Sequence, residues 1–324
     1  MKFVFMSDND RLHPVAERVR NEKYDVENNP KRVIKSTSVV IADKPLLIDI
    51  YGNFCIGDSK FSESLLNHSY HDAILVMNNI SKTDTLSNTS ISCWFNGVDF
   101  VFPAVISINE DKFMEDDRGV TVDSMGCTLC VCSSKKKAFV ETLLKFKDLL
   151  RKVSYCGFIT LSCVFDKDSV KVSKIEPYFK YDLLYAFLEG TQEEIGRALH
   201  EIAIGAKKEF KFPEMYAIAV RISIPPYPYE HIKCKSVPLN GICAQNEKHI
   251  WAQNTVRSDR GVVKSNESYG VIATVTARGS SVRECRRRVY RTIENLDIEE
   301  MQYRRDVGVK AESIFEKLKE GNWF

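Results

Sequence analysis

The stretch 91–106, ISCWFNGVDFVFPAVI, limits what this chain can fold into more than any other. Two apolar runs flank Asn96-Gly97, a pair that readily takes the backbone angles of a tight turn, so the stretch predicts an antiparallel hairpin. A second pair of apolar runs, Gly157–Phe165 and Ser169–Ile175, meets around the polar turn 166–168 and predicts two further strands. Helices are expected beside them. Residues 135–153 place Phe139, Leu143, Phe146 and Leu150 on one face, and a further helix is read from about Leu183 to Ala203.

The beginning of the chain has a different pattern. A short apolar strand over residues 2–6 precedes a segment with Val15, Val19 and Tyr24 at roughly helical spacing, as in the first unit of an open α/β domain. The charged stretch GAKKEFKFPEM reads as a connector. Beyond it come the alternating strand YAIAVRISI, the proline-rich PPYPYE, read as a rigid extended segment, and the strand YGVIATVTARG. Two helices close the chain. The first carries Val282, Cys285, Val289 and Ile293 inward, and the second runs from about Val309 to Leu318.

With 324 residues, 44% hydrophobic and 28% charged, the chain can form two or three domains, each with its own core. Its 46 basic and 44 acidic residues leave a formal charge of +2, which gives no broad attraction to nucleic acid or anionic membrane. No apolar run reaches the length of a membrane span, and the start MKFVFMSDNDRLHP lacks the pattern of a signal peptide. The ten cysteines therefore read as reduced core thiols of a cytosolic protein. CTLCVC has no partner pair at zinc-site spacing, and strand alternation puts Cys130 and Cys132 on one face.

Taken together, VRISIPPYPYE, YGVIATVTARGSSVRECRRRVYRTIENL and MQYRRDVG resemble the C-terminal domain of the phosphoribosylamine–glycine ligase (glycinamide ribonucleotide synthetase) family. SCWFNGVDFVFPAV, EDKFMEDDRGVTVDSMG and YCGFITLSCVF resemble the ATP-grasp part of that family, and all these segments occur in family order. The start of the chain resembles only the first strand–helix unit of the family's N-terminal domain. The resemblance implies an α/β fold in three parts. These are a truncated N-terminal α/β unit (1–90), an ATP-grasp-like antiparallel sheet with helices (91–205) and a small C-terminal α+β domain (206–324). It also implies ATP and Mg²⁺ as cofactors of an active enzyme, which activates glycine as an acyl phosphate and joins it to phosphoribosylamine.

The motif positions depart from the family in ways that bear on chemistry. Laying SKIEPYFKYD on the family's metal strand puts Phe179 on its phenylalanine, Lys174 on its acid, Glu176 on its amide ligand, Tyr178 on its arginine and Lys180 on its glycine. A cation at a ligand position opposes magnesium. A two-residue slip restores Glu176 as the acid but leaves Tyr178 as a poor second donor. Glu176 is thus the candidate metal ligand and catalytic carboxylate, with Lys112 and Arg118 as anion contacts. In the loop RGVTVDSMG, Gly119, Met125 and Gly126 survive from the family's glycine-rich substrate loop, and Tyr178 joins them as a substrate contact. Gly52, Gly57 and Lys60 form the only nucleotide-phosphate candidate, against the plainer reading of a strand–turn–helix link. The first strand exit carries Asp8 and Asp10 where the family uses a glycine-rich turn, which would repel a phosphate.

Three readings follow. In the first, the chain is a pseudoenzyme that keeps the scaffold and binds a nucleotide, a small molecule or a protein partner. In the second, it is an active ATP-dependent carboxylate–amine ligase. In the third, which the balanced charge disfavours, the arginines of RECRRRVYR contact nucleic acid.

Overall fold

The computed structural model describes residues 1–7, 11–30, 38–43, 54–57, 86–177, 179–229, 232–253, 255–257, 263–265 and 270–324. The N-terminal unit comprises β1 (Lys2–Met6), α1 (His13–Asn21), β2 (Asp25–Asn28), β3 (Ser38–Ala42) and β4 (Phe54–Gly57). Its strands lie parallel in the order β2-β1-β3-β4. Parallel neighbours need crossovers, and α1 supplies the first, with Pro14 in its opening turn, where a missing N–H costs little. Val15, Ala16 and Val19 are the apolar side it buries.

The remainder is built on one large sheet. In chain order its elements are β5 (Leu86–Asn96), β6 (Phe100–Asn109), the small hairpin β7 (Lys112–Met114) and β8 (Arg118–Thr121), and β9 (Gly126–Cys132). The helices α2 (Lys137–Glu141) and α3 (Lys147–Lys152) precede β10 (Cys156–Phe165) and β11 (Val170–Glu176). Next come α4 (Tyr181–Gly190), α5 (Ile195–Ala203), β12 (Tyr216–Ser223), β13 (Ile250–Ala252), the ribbon β14 (Thr255–Arg257) and β15 (Val263–Ser265), β16 (Val271–Gly279), α6 (Val282–Glu294) and α7 (Val309–Glu320). Eight strands form a sheet in the order β11-β10-β5-β6-β9-β12-β16-β13, antiparallel at every neighbouring pair.

Both faces of this sheet are covered, which explains why inner strands such as β9 and β12 are buried along almost their whole length rather than on alternate residues. One face holds Cys93, Phe95, Ile106 and Cys130 against Phe139, Leu150, Val289 and Phe315 from α2, α3, α6 and α7. The other holds Trp94, Val105, Leu129 and Phe158 against α4, α5 and the N-terminal unit. Cys130 and Cys132 belong to the first core and Cys127 to the second, so the three thiols do not converge.

The α/β class and the large antiparallel sheet are as the sequence implied, but several local readings are corrected. Asn96-Gly97 is not a two-residue turn. Gly97–Asp99 form a three-residue loop in which Asn96 Oδ1 accepts N–H bonds from Val98 and Asp99 at 3.0 and 2.8 Å. The helix expected over 135–153 breaks at Thr142 (φ −120°, ψ −93°), whose buried hydroxyl donates to Ala138 O, a back-bond that bends helices. The helix expected over 183–203 is two helices. Gly190 ends the first where the Phe212 ring leaves no room for a side chain. Within PPYPYE, residues 225–229 form a turn rather than extended chain: Tyr227 N–H donates to Ile224 O and Tyr229 N–H to Pro226 O. Proline's fixed φ suits turns as well as extended chain. The connector around residue 206 joins α5 to β12, and β12 pairs directly with β9, so the sheet runs on from the 91–205 segment into the 206–324 segment.

Candidate functional site

At the outer edge of the large sheet, β11 delivers Lys174 and Glu176 to the same face, as residues two apart in a strand must be. Glu176 is 3% exposed. Its Oε1 lies 2.8 Å from Lys174 Nζ, its Oε2 lies 2.8 Å from Lys180 Nζ, and Ser162 Oγ donates to Oε2 at 2.9 Å. Burial pushes the Glu176 carboxyl up, but the two ammonium groups outweigh this and hold it below the usual carboxylate range. Phe179 anchors the strand exit, packed 5.9 Å from the Trp94 ring centre.

Lys180 also leads into a second polar centre, which the sequence reading missed. Arg221 of β12 is buried and reaches Asp182 Oδ2 with Nε at 3.0 Å and Asp123 Oδ2 with an Nη at 3.2 Å. Asp182 Oδ1 accepts from Thr274 Oγ1 at 2.9 Å. Arg11, just before α1, reaches the same Asp123 oxygen at 3.3 Å and lies over the Tyr181 ring. Tyr181 OH and Ser7 Oγ both bond Asp43 at the end of β3. Burial acts to strip the proton from Arg221, but Asp182 and Asp123 more than offset it and raise its pKa. A void of about 10 Å³ remains here, lined in part by Asn109, Asp111, Ser124 and Lys180. The one available signal was a single arginine inside the otherwise apolar strand YAIAVRISI.

No protein-family model matches the sequence. Phosphoribosylamine–glycine ligase from Thermotoga maritima matches the structure with a TM-score of 0.63 at 14% identity, covering 95% of this chain and 100% of that one. The biotin carboxylase domain of a single-chain bacterial carboxylase gives 0.59 at 9% identity, with 99% of each chain covered. Pyruvate carboxylase from Rhizobium etli gives 0.57 at 10% identity; the match spans 97% of this chain and 37% of that one. The chain has an ATP-grasp fold. At identities this low the likeness is one of fold, and the chemistry must be read from the site.

ATP-grasp ligation places magnesium on carboxylate and amide oxygens, because the ion demands several hard oxygen donors. The residues at this edge do not fit that ion. Each oxygen of Glu176 already faces an ammonium group, and among the described residues no group of three or more His, Cys, Asp or Glu is placed to hold a metal. Of the nucleotide candidates, Gly52 and Lys60 lie outside the described residues. Gly57 ends β4 with φ +103°, pressed against the Ala42 carbonyl, so strand approach alone accounts for a glycine there. Tyr178, like Asp8 and Asp10, also lies outside the described residues.

The loop candidates are brought together, but away from Glu176. Arg118 and Met125 line a cleft of about 350 Å³ with Arg304 and Arg305, and Glu176 is not part of it. Arg118 is 71% exposed and bonds its own turn, at Asp116 and Glu115 O. Lys112 Nζ donates to Thr121 Oγ1 across the β7–β8 hairpin. Gly119 takes φ +79°, and Gly126 takes φ +143° where β9 passes close to the Ala219 carbonyl. The YRRDVG motif has a visible task here. Arg304, 1% exposed, pairs with Glu110 at 3.0 Å, Asp117 at 3.3 Å and Asp306 at 2.6 Å, and donates to Lys112 O, pinning the hairpin down. Burial pushes the Glu110 carboxyl up to about 7 despite Arg304 beside it.

On α6, Arg286 donates to the Val307 and Arg305 carbonyls, Arg288 pairs with Glu284 at 2.7 Å, and Arg283 lies 3.8 Å from Glu312. Among the described residues, no helix is long and apolar enough to cross a membrane.

Proposed function

We propose that this chain is a divergent ATP-grasp protein of the phosphoribosylamine–glycine ligase type, related to purine biosynthesis, that no longer runs a magnesium-dependent ligation and acts through binding. One observation carries the reading: the only carboxylate the metal strand offers is clamped at both oxygens by Lys174 and Lys180. To enter, magnesium would have to displace two ammonium ions from a buried anion while gaining one protein ligand in place of several. Any surviving ligand is then a nucleotide or small molecule held without that metal, or a protein partner. The ten free cysteines suit a cytosolic setting.

The competing reading, an active carboxylate–amine ligase, draws on the retained scaffold and on Glu176 itself. A thermal-shift titration with ATP, with and without Mg²⁺, separates the two, alongside a coupled assay for ADP release in the presence of glycine and phosphoribosylamine. The expected result is no magnesium-dependent stabilisation and no ADP release. Saturable stabilisation that requires the metal, or turnover, overturns the proposal.

A further inference from the structure

Asp123 sits in the short loop between β8 and β9, and a single one of its oxygens accepts from two guanidinium groups on separate parts of the fold. Arg221 comes from the middle of the large sheet and Arg11 from the N-terminal unit, at 3.2 and 3.3 Å. Arg221 already has a counter-ion in Asp182, which is 2% exposed and locked by Thr274. Arg221 therefore needs no second carboxylate for neutrality. The Asp123 side chain, by contrast, is 46% exposed and belongs to a loop, so it can leave for water. We propose that Asp123 is a built-in occupant of an oxyanion site whose walls are Arg11 and Arg221, and that it stands in for the carboxylate or phosphate oxygens of an external ligand.

The chemistry of the surroundings fits this assignment. Two guanidinium groups converging on one oxygen form the donor set that planar or tetrahedral oxyanions select. The small void beside Asp123 is bordered by Asn109, Ser124 and Lys180 as well as by Tyr181 and Leu183, so withdrawing the aspartate would open space with polar groups on part of its wall. Asp111 faces the same void. Burial raises its pKa, Lys180 lowers it, and Asp123 and Glu176 raise it, so removing Asp123 also removes a neighbouring negative charge. Burial likewise pushes the Asp123 carboxyl up, but Arg221 and Arg11 together hold it below the usual range, so at neutral pH the occupant is an anion. A carboxylate tethered by a short loop competes at an effective concentration on the order of millimolar or higher. An external oxyanion is therefore masked until the loop moves.

The test uses the full chain without nucleotide or metal, so its outcome is separate from that of the magnesium question. Inorganic phosphate and acetate are titrated by calorimetry and thermal shift, each against chloride at matched ionic strength, into wild type, Asp123→Ala, Asp123→Asn and the double variant Asp123→Ala/Arg11→Ala. Asp123→Ala should bind phosphate or acetate saturably, at least tenfold tighter than wild type, and the double variant should lose that gain. The probe that binds better tells a phosphate site from a carboxylate site. Equal binding by wild type and Asp123→Ala, no binding beyond the chloride control, or a gain that survives loss of Arg11 each overturns the proposal. If Asp123→Ala does not fold, Asp123→Asn, which keeps the shape and one acceptor, carries the same comparison, and affinity equal to wild type overturns it.

Discussion

Replacing Glu176 with glutamine separates a structural ion triad from a catalytic metal ligand. The substitution keeps shape and one acceptor oxygen, but turns an amide NH₂ toward an ammonium group. Lys180, whose side chain is 25% exposed, loses a charge-assisted bond of about 1.5–3 kcal/mol. Lys174 is 53% exposed and regains water, so its share is about 0.5 kcal/mol. The sum is about 2–3.5 kcal/mol, or roughly 3–5 °C in melting temperature for a chain of 324 residues. The sign with pH follows from the depressed carboxyl. A group whose folded pKa lies below its unfolded value of 4.5 stabilises the fold above that pH, and the contribution fades as pH falls through the folded value. Urea unfolding followed by tryptophan fluorescence should therefore show a gap of about 2–3.5 kcal/mol between wild type and Glu176→Gln at pH 7, shrinking below pH 4.5. An unchanged midpoint at pH 7, joined with loss of a magnesium-dependent ATP response that wild type possesses, would refute the triad and restore Glu176 as a ligand.

Three other outcomes follow from the packing. Arg304→Met leaves Glu110 buried beside Asp117 and Asp306 without its cation and should cost about 3–5 kcal/mol, with residues 112–121 becoming the first site of limited proteolysis. Glu22 caps α5 through both oxygens, at 2.7 Å from the N–H groups of Ile195 and Gly196. Glu22→Ala should cost about 1–2 kcal/mol and speed hydrogen exchange in the first turn of that helix more than elsewhere. Gly126→Ala forces a side chain against the Ala219 carbonyl at a positive φ, so the melting temperature should fall by more than in Gly97→Ala, a control at φ +89° where the added side chain meets almost nothing.

The elements of the sheet were legible because their signals are local. A run such as CGFITLSCVF, short, bounded by a polar turn and holding β-branched and aromatic residues, reads as a strand between covered faces. The helix ends were less so. Thr142 breaks one helix by a bond to its own chain, and Gly190 ends another because Phe212 arrives from a distant segment. The polar centre was hidden for the same reason. Arg11, Asp123, Asp182 and Arg221 are scattered over more than two hundred residues, and none carries a spacing that marks it. Lys112 and Arg118 were legible as charges, but their orientation toward Thr121 and Asp116 follows from how the hairpin folds on itself.

By itself, the sequence determined the strands and helices of an α/β chain with an N-terminal strand–helix unit, while its resemblance implied a large antiparallel sheet and put Lys174 where the family's metal strand has an acid. Apolar periodicity and residue type are properties of neighbours in the chain, so they can be read there. Only the tertiary structure decided that Lys174 and Lys180 close on the two oxygens of Glu176, and that Asp123 lies between two guanidinium groups. Electrostatic neutralisation depends on distances of a few ångströms between residues far apart in sequence, and the fold alone sets those distances.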